Sequence, residues 1–434
     1  MTRSDNWILL ALTAAALACS SRDGRDVPAG ATGAAGGDHG PTAGSATDGA
    51  SAASSSGGSG GASAATGGTG GRTGGAVSGG AGRHAANAGG AAGNRGTSGA
   101  GAPAGSGGDT SAETGGNSSS GGTVASPGGA AGSSGAAPAS GTPTLFWLDV
   151  SGKVLSSDAT NFAVKTVVPS AGQGSDGIAI DVAAGYIYWT DMGAPADNDG
   201  SVLRSNLDGS NVTTLVPKGG TYTPKQLKLV PEQGKLYWSD REGMRVMRSN
   251  VDGSAIETIY QSGSTDADRQ DDSRWCVGIA VDVAGGYFYW SQKGTDSGHE
   301  GSVRRAHLTL PNGDTPENRS DVEVLFDGEA ATCDIDLDLG AGLIYWANRG
   351  DDTINRGPLA VPEGAPAKSR TDKQTIVKKV DQAIGVFLDH PRGLVYYTDA
   401  VGDVGRASLD GTGSKFLLTN SGAFTGIVVV DLPK

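Results

Sequence analysis

The side chains that could hold a metal or move a proton are scarce and scattered. There are five histidines, His39, His84, His299, His307 and His390, and three cysteines, Cys19, Cys276 and Cys333. Three cysteines exclude a disulfide-rich scaffold and a CxxC-type zinc site. No GxSxG, HExxH or phosphate-binding loop stands in a suitable context. Carboxylates gather in segments without regular pattern: Asp197, Asp199, Asp266, Asp268, Asp271, Asp272, Asp351 and Asp352. Asp197-Asn198-Asp199-Gly200 opens like a calcium loop but lacks its distal Glu. Arg349-Gly350-Asp351 spells an integrin-binding tripeptide, a match short enough to arise by chance.

Composition divides the 434 residues sharply. Residues 1–143 hold 39 of the 74 glycines and, apart from Trp7, no aromatic side chain. They cannot bury a core, whereas residues 144–434 can. Residues 144–434 also carry 39 acidic and 27 basic groups, nearly all of the net charge of −13. So acidic a body is a poor partner for nucleic acid or for an anionic lipid surface.

The first 19 residues read as an export leader. Arg3 gives a weakly positive start, and Trp7 to Ala18 is an apolar run too short to span a bilayer. It ends in Ala16-Leu17-Ala18-Cys19, which resembles a bacterial lipoprotein signal and implies that Cys19 accepts lipid and becomes the mature N-terminus. Ser20, which is not acidic, favours the outer membrane or cell surface over the inner membrane. Residues 20–143, rich in Gly, Ala, Ser and Thr, gain too little from packing to offset chain entropy and read as a disordered tether. Such a coil spans roughly 60 Å on average and on the order of 400 Å when stretched.

One pattern repeats across 144–434: an apolar run, a short turn, an aromatic strand, a polar loop, then Arg and often Asp-Gly-Ser. The aromatic strands centre on Trp147, Trp189, Trp238, Trp290, Trp346 and Tyr397, at spacings of 42, 49, 52, 56 and 51 residues. Each copy divides into four short strands, the signature of a propeller blade. The first copy lacks its leading apolar strand, and a surplus strand, Gly426 to Asp431, follows the last. That strand is expected to complete blade one and close the ring, leaving no open edge. The fold class is therefore all-β, a six-bladed propeller.

Tyr188-Trp189-Thr190-Asp191 with Leu207-Asp208-Gly209-Ser210 resembles the YWTD repeat of low-density-lipoprotein-receptor class B propellers. The resemblance covers all of 144–434 and implies a module that binds proteins or peptides without catalysis. The cysteine-rich modules that flank receptor propellers are missing here, so receptor partners and endocytic roles are not implied.

Repetition in register marks scaffold: the five tryptophans and Tyr397 as packing between blades, and Asp149, Asp191, Asp240 and Asp399 as strand ends, replaced by Gln292 and Asn348 in two blades. Arg204, Arg248, Arg305, Arg356 and Arg406 share one third-strand position, and each is expected to hydrogen-bond the polar residue ending its own second strand. Cys276 and Cys333 precede neighbouring first strands. A disulfide between them is open, although they lie one residue out of register.

The long, unlike loops join second to third and fourth to first strands, on one face. The opposite face is expected to carry only short turns. Function belongs on the variable loops, and the exposed candidates are Asp271, Asp272, Arg274, Trp275, Tyr222 and His299. The reading is a tethered, monomeric, non-catalytic binder of a protein, peptide or polymer, with no cofactor; the acidic loops are either solvated surface charge or a site for a cationic, Lys/Arg-bearing partner. The alternative is a metal-dependent lactonase or lyase, which needs several acidic, amide or His side chains converging on the axis. Asp334 and Asp336 could approach it, but no other first strand supplies a matching set.

Overall fold

A computed structural model describes residues 143–433, apart from Ala196 and Ala365. Cys19, the leader and the tether to residue 142 lie outside the described residues. The rest folds as six four-stranded antiparallel sheets. Blade one contains β1 (Pro143–Asp149), β2 (Lys153–Asp158) and β3 (Lys165–Val168). Blade two is β4 (Ser175–Asp181), β5 (Tyr186–Asp191), β6 (Ser201–Asn206) and β7 (Thr213–Val216). Blade three is β8 (Pro224–Val230), β9 (Lys235–Asp240), β10 (Arg245–Asn250) and β11 (Glu257–Gln261). Blade four is β12 (Cys276–Asp282), β13 (Tyr287–Gln292), β14 (Gly301–His307) and β15 (Glu323–Glu329). Blade five is β16 (Thr332–Asp338), β17 (Leu343–Asn348), β18 (Thr353–Pro358) and β19 (Gln374–Lys378). Blade six is β20 (Ala383–Asp389), β21 (Leu394–Asp399), β22 (Val404–Ser408) and β23 (Lys415–Leu418).

The last strand, β24 (Phe424–Asp431), pairs antiparallel with β1, with Trp147 opposite Ile427 and Phe146 opposite Val428. It is the innermost strand of blade one. The first strands touch in an unbroken cycle, β24 to β4, β8, β12, β16, β20 and back to β24. The C-terminal strand thus closes the ring.

The period of two along a strand explains the Tyr-Trp pair. Adjacent residues face opposite sides of the blade. Trp189 packs backward among Phe146, Val154 and Val168 of blade one, while Tyr188 packs forward among Leu227, Leu236 and Trp238 of blade three. The same alternation places Trp238 on blade two, Trp290 on blade three and Trp346 on blade four. Each of these tryptophans is fully buried. A whole indole in a tapering gap buries large apolar area where smaller side chains would leave a void.

The following Ser or Thr works at the axis. Thr190 Oγ donates to Lys225 O in the next blade (2.8 Å) and accepts from Gly177 N in its own (2.8 Å). Ser291 repeats this with Cys333 O and Gly278 N. Beside the Ser291 hydroxyl the position is glycine, and a Cβ on Gly278 would collide with the Cys333 carbonyl of the neighbouring strand.

Two expectations fail. The third-strand arginines do not reach their own strand ends, because Arg204 pairs across the ladder with Tyr188, and Asp191 pairs with Ser201. Arg248 instead binds Glu257 on the fourth strand and the Leu308 carbonyl of the next blade. Arg305 and Arg356 do the same with Glu323 and Leu359 O, and with Gln374 and Leu409 O. They are ties between blades. The face of short turns is also not uniformly short: blades four and five carry long connections at 308–322 and 359–373. Arg319 clamps the first through Ile259 O and Asp321, and stacks on Phe288. Arg370 clamps the second through Leu325 O and Asp372, and stacks on Phe326.

No disulfide forms between Cys276 and Cys333; both are buried thiols. Cys276 packs with Tyr260 and Trp290, while its neighbour Val277 shares the cluster of Cys333. The one-residue offset turns the two sulfurs to opposite sides of β12.

Candidate binding surface

The strand-end carboxylates fasten the long loops. Asp240 accepts from Tyr222 N and Thr223 N and pairs with Arg245. Asp191 accepts from Gln173 N and Gly193 N. Asp399 accepts from Val401 N and Asp403 N. In blade five Asn348 fills the position, accepting from Thr332 and donating to Glu329.

The next residue in each blade is one of an equivalent set of six. Its backbone N–H donates to the residue before its own first strand: Val150 to Ala423, Met192 to Gly174, Arg241 to Thr223, Lys293 to Trp275, Arg349 to Ala331 and Ala400 to Gln382. All six are buried. Their side chains divide the ring in half. Blades one, two and six supply Val150, Met192 and Ala400, and the first two pack with Ala423. Blades three, four and five supply three cations.

Around those cations lies a connected polar shelf. Arg241 donates to Glu242 at 2.8 Å. Lys293, with no exposed side-chain surface, binds one oxygen of Asp296 at 3.2 Å, and Arg349 binds the other. The Trp275 ring has the Arg241 guanidinium 5.0 Å and the Lys293 ammonium 5.9 Å from its centre, both cation–π distances. Asp272, only 7% exposed, lies within the field of Lys293 and Arg241. Burial pushes its carboxyl up to about 6 against the pull of Lys293 and Arg241. Its Oδ2 is buried with no hydrogen-bond partner. A buried acceptor without a donor is costly, and it marks where an incoming donor would gain most.

Most of the candidate residues gather here. Asp271 caps a short turn through Ser273 N, and Arg274 pairs with Asp271 and reaches Ser262 O. Trp275 is buried and donates Nε1 to Arg269 O, so it supports the surface from beneath. Arg269 in turn lies over the Tyr222 ring at 4.8 Å, bringing Tyr222 into the same cluster. His299 is exposed on the loop after β13 at a left-handed φ of 53° and is not among the contacts of this group.

The two short motifs are engaged elsewhere. Asp199 pairs with Lys218 and accepts from Ala194 N. Arg349 of the integrin-like tripeptide is turned inward onto Asp296 and Gln382. Among the described residues, no three His, Cys, Asp or Glu side chains are grouped so as to hold a metal ion. Sequence reasoning missed Arg241, Lys293, Asp296 and Arg349 as a group. Their common signal is position, one residue or one loop after the aromatic strand, rather than type.

No family model matches the chain. It is 37% identical over 289 residues to "Low-density lipoprotein receptor-related protein 1" of Pyricularia oryzae, covering 64% of this chain and 92% of that protein. It is 31% identical over 267 residues to "3-hydroxyacyl-CoA dehydrogenase-like protein LAM1" of Cochliobolus heterostrophus, covering 58% of this chain and 56% of that protein. The chain thus spans little more than half the length of the second relative. Among solved structures, a chain of the nidogen/laminin complex superposes with a TM-score of 0.51 at 17% identity, over 66% of this chain and 98% of that one. Fold and repeats define a six-bladed propeller of the YWTD type. The chain belongs to the low-density-lipoprotein-receptor-related family of such propellers.

Proposed function

We propose that this propeller is a non-catalytic binding module whose ligand docks on the long-loop face of blades three to five. The observation that carries the reading is Asp272: a buried carboxylate oxygen without a donor, beneath a surface formed by Asp266, Asp271, Arg274 and Tyr222. Asp266 is 97% exposed and Asp271 47%. A partner bearing Lys or Arg would meet acidic loops at the rim and could supply the missing donor to Asp272. The test is fluorescence anisotropy of labelled Lys/Arg-bearing peptides on the full chain, with acidic peptides as controls. Saturable binding of the cationic set, lost in Asp272→Asn, supports the reading; equal binding of both sets refutes it.

The same proposal places the module in the bacterial cell envelope, lipid-anchored through Cys19 and held off by the 20–143 tether, at the outer membrane or cell surface. It acts as a monomer on a protein, peptide or polysaccharide. Labelled palmitate should be incorporated into the wild-type chain and not into Cys19→Ala. Labelling of both chains would reject Cys19 as the acceptor.

A further inference from the structure

At the axis, four of the six seams between neighbouring blades carry one recurring hydroxyl bridge, and two are built differently. Thr190, Ser239, Ser291 and Thr398 each donate a hydroxyl to a first-strand carbonyl of the next blade: Lys225 O, Gly278 O, Cys333 O and Thr425 O. Blade one has Leu148 at that position, and Thr425 of its own first strand takes over, donating to Ser175 O at 2.9 Å. Blade five has Ala347 there and no hydroxyl to give.

The compensation comes from Asp334. In blades one, two, four and six its place is held by Gly426, Gly177, Gly278 and Gly385. A Cβ on Gly385 would strike both the Thr398 hydroxyl and the Thr425 carbonyl. Blade three holds Gln226 at this position beside the Ser239 hydroxyl, so a side chain can be accommodated there; in blade five, where Ala347 has no hydroxyl to give, the side chain is a carboxylate. Asp334 Oδ2 accepts from Val386 N of blade six at 3.1 Å, and Oδ1 from Ile335 N at 2.8 Å. Two residues on, Asp336 Oδ2 accepts from Leu388 N of blade six at 2.9 Å. Lys228 of blade three reaches Asp336 Oδ1 at 3.2 Å.

We propose that the seam between blades five and six is a carboxylate latch, substituted for the hydroxyl bridge, that loosens as pH rises. The charged groups facing Asp334 are Asp336 on its own strand and Lys228 on β8. β12 and β20 carry their only carboxylates, Asp282 and Asp389, at their far ends, and β17 presents Ala347. The Cys276 and Cys333 thiols lie in separate apolar clusters. Ionising Asp334 therefore sets one buried and one half-buried carboxylate against one lysine. Burial pushes Asp334 up to about 7, outweighing Lys228 and the two amides that pull it down. A carboxyl raised in the folded state favours closure while protonated. That contribution is complete below about pH 4 and is lost as pH rises through about 7.

The test is amide hydrogen exchange on the full chain, corrected for intrinsic rates. The opening equilibrium at Val386 should rise between pH 5 and 7, by up to about tenfold per pH unit. At the hydroxyl-held amides of Gly177 and Gly278 it should rise less. Asp334→Asn keeps an acceptor for Val386 N and should abolish the excess. Asp334→Gly should open the seam at every pH, and adding Ala347→Thr to that variant should close it again without the pH dependence. An equal pH response at all three amides, an undiminished response in Asp334→Asn, or no recovery on adding Ala347→Thr would each overturn the latch.

Discussion

The two halves of the ring that follows the second strands share one backbone and differ in chemistry. Val150, Met192 and Ala400 place apolar side chains at this position, with the Met192 sulfur also accepting from the buried Lys225 ammonium at 3.0 Å. Arg241, Lys293 and Arg349 occupy the same register, equally buried, and can do so only because Glu242 and Asp296 come with them. Burying charge costs free energy that an apolar set would not incur. Buried charge is also present beneath blade two, where Asp176 pairs with Lys225, but at this ring position only blades three to five carry cations, and the proposed function would account for that difference.

The contrast can be broken most forcefully at Lys293. Lys293→Met copies Met192 of the apolar half but strands Asp296 beside Arg349 alone. It should cost roughly 2–4 kcal/mol in urea denaturation, below the top of the range for broken buried pairs because Asp296 is about a third exposed. Replacing Asp296 by Leu in the same chain should recover part of the loss. A Lys293→Met chain as stable as wild type would show that the pair contributes nothing.

The strand-end carboxylates provide a sharper comparison, with opposite signs. Asp240 accepts from two loop amides and pairs with Arg245, so Asp240→Asn, which removes the ion pair and one acceptor oxygen, should lower stability by about 1–3 kcal/mol at pH 7.5. Asp399, in the other half, has no cation in contact and one buried oxygen without a partner. Burial, with Asp403 alongside, pushes it up to about 7. Its folded form favours the proton, so its contribution is complete below about pH 4 and lost as pH rises through 7. Asp399→Asn should therefore stabilise the chain by about 1–2 kcal/mol at pH 8 and do nothing at pH 4. Thermal melts across that range check both signs.

Asp272 gives the smallest stability effect and the most telling one. Its carboxyl, pushed up to about 6, favours the proton when folded, so wild-type stability should fall between pH 4 and 6. Asp272→Asn should flatten that slope and gain about 1 kcal/mol at pH 7.5. If it also loses peptide binding, stability and function pull apart at one side chain, as expected of a site. A substitution that destabilises and leaves binding intact would make Asp272 an ordinary core residue.

The propeller was readable from sequence because its signals repeat. Tyr-Trp alternation, the Gly turns and the surplus strand 426–431 recur or complete a pattern, so each copy checks the others. The arginine ties were misread because proximity in sequence suggested the strand end, while antiparallel pairing puts Arg204 opposite Tyr188. The long connections of blades four and five carried a signal of their own, Arg319-Ser320-Asp321 and Arg370-Thr371-Asp372, visible only when those two copies are compared with each other. The polar shelf was illegible for the opposite reason. Val150, Met192, Arg241, Lys293, Arg349 and Ala400 share a position and no chemistry, and only the equivalent backbone hydrogen bonds reveal them as one set.

The central claim is that ligand binding belongs to the charged half of this ring. Hydrogen exchange of the full chain, with and without a saturating Lys/Arg-bearing peptide, tests it most directly. Protection should appear in residues 262–275 and 293–300 and be absent from the loop 192–200 of blade two. Protection confined to blade two, or spread equally round the face, would contradict the account.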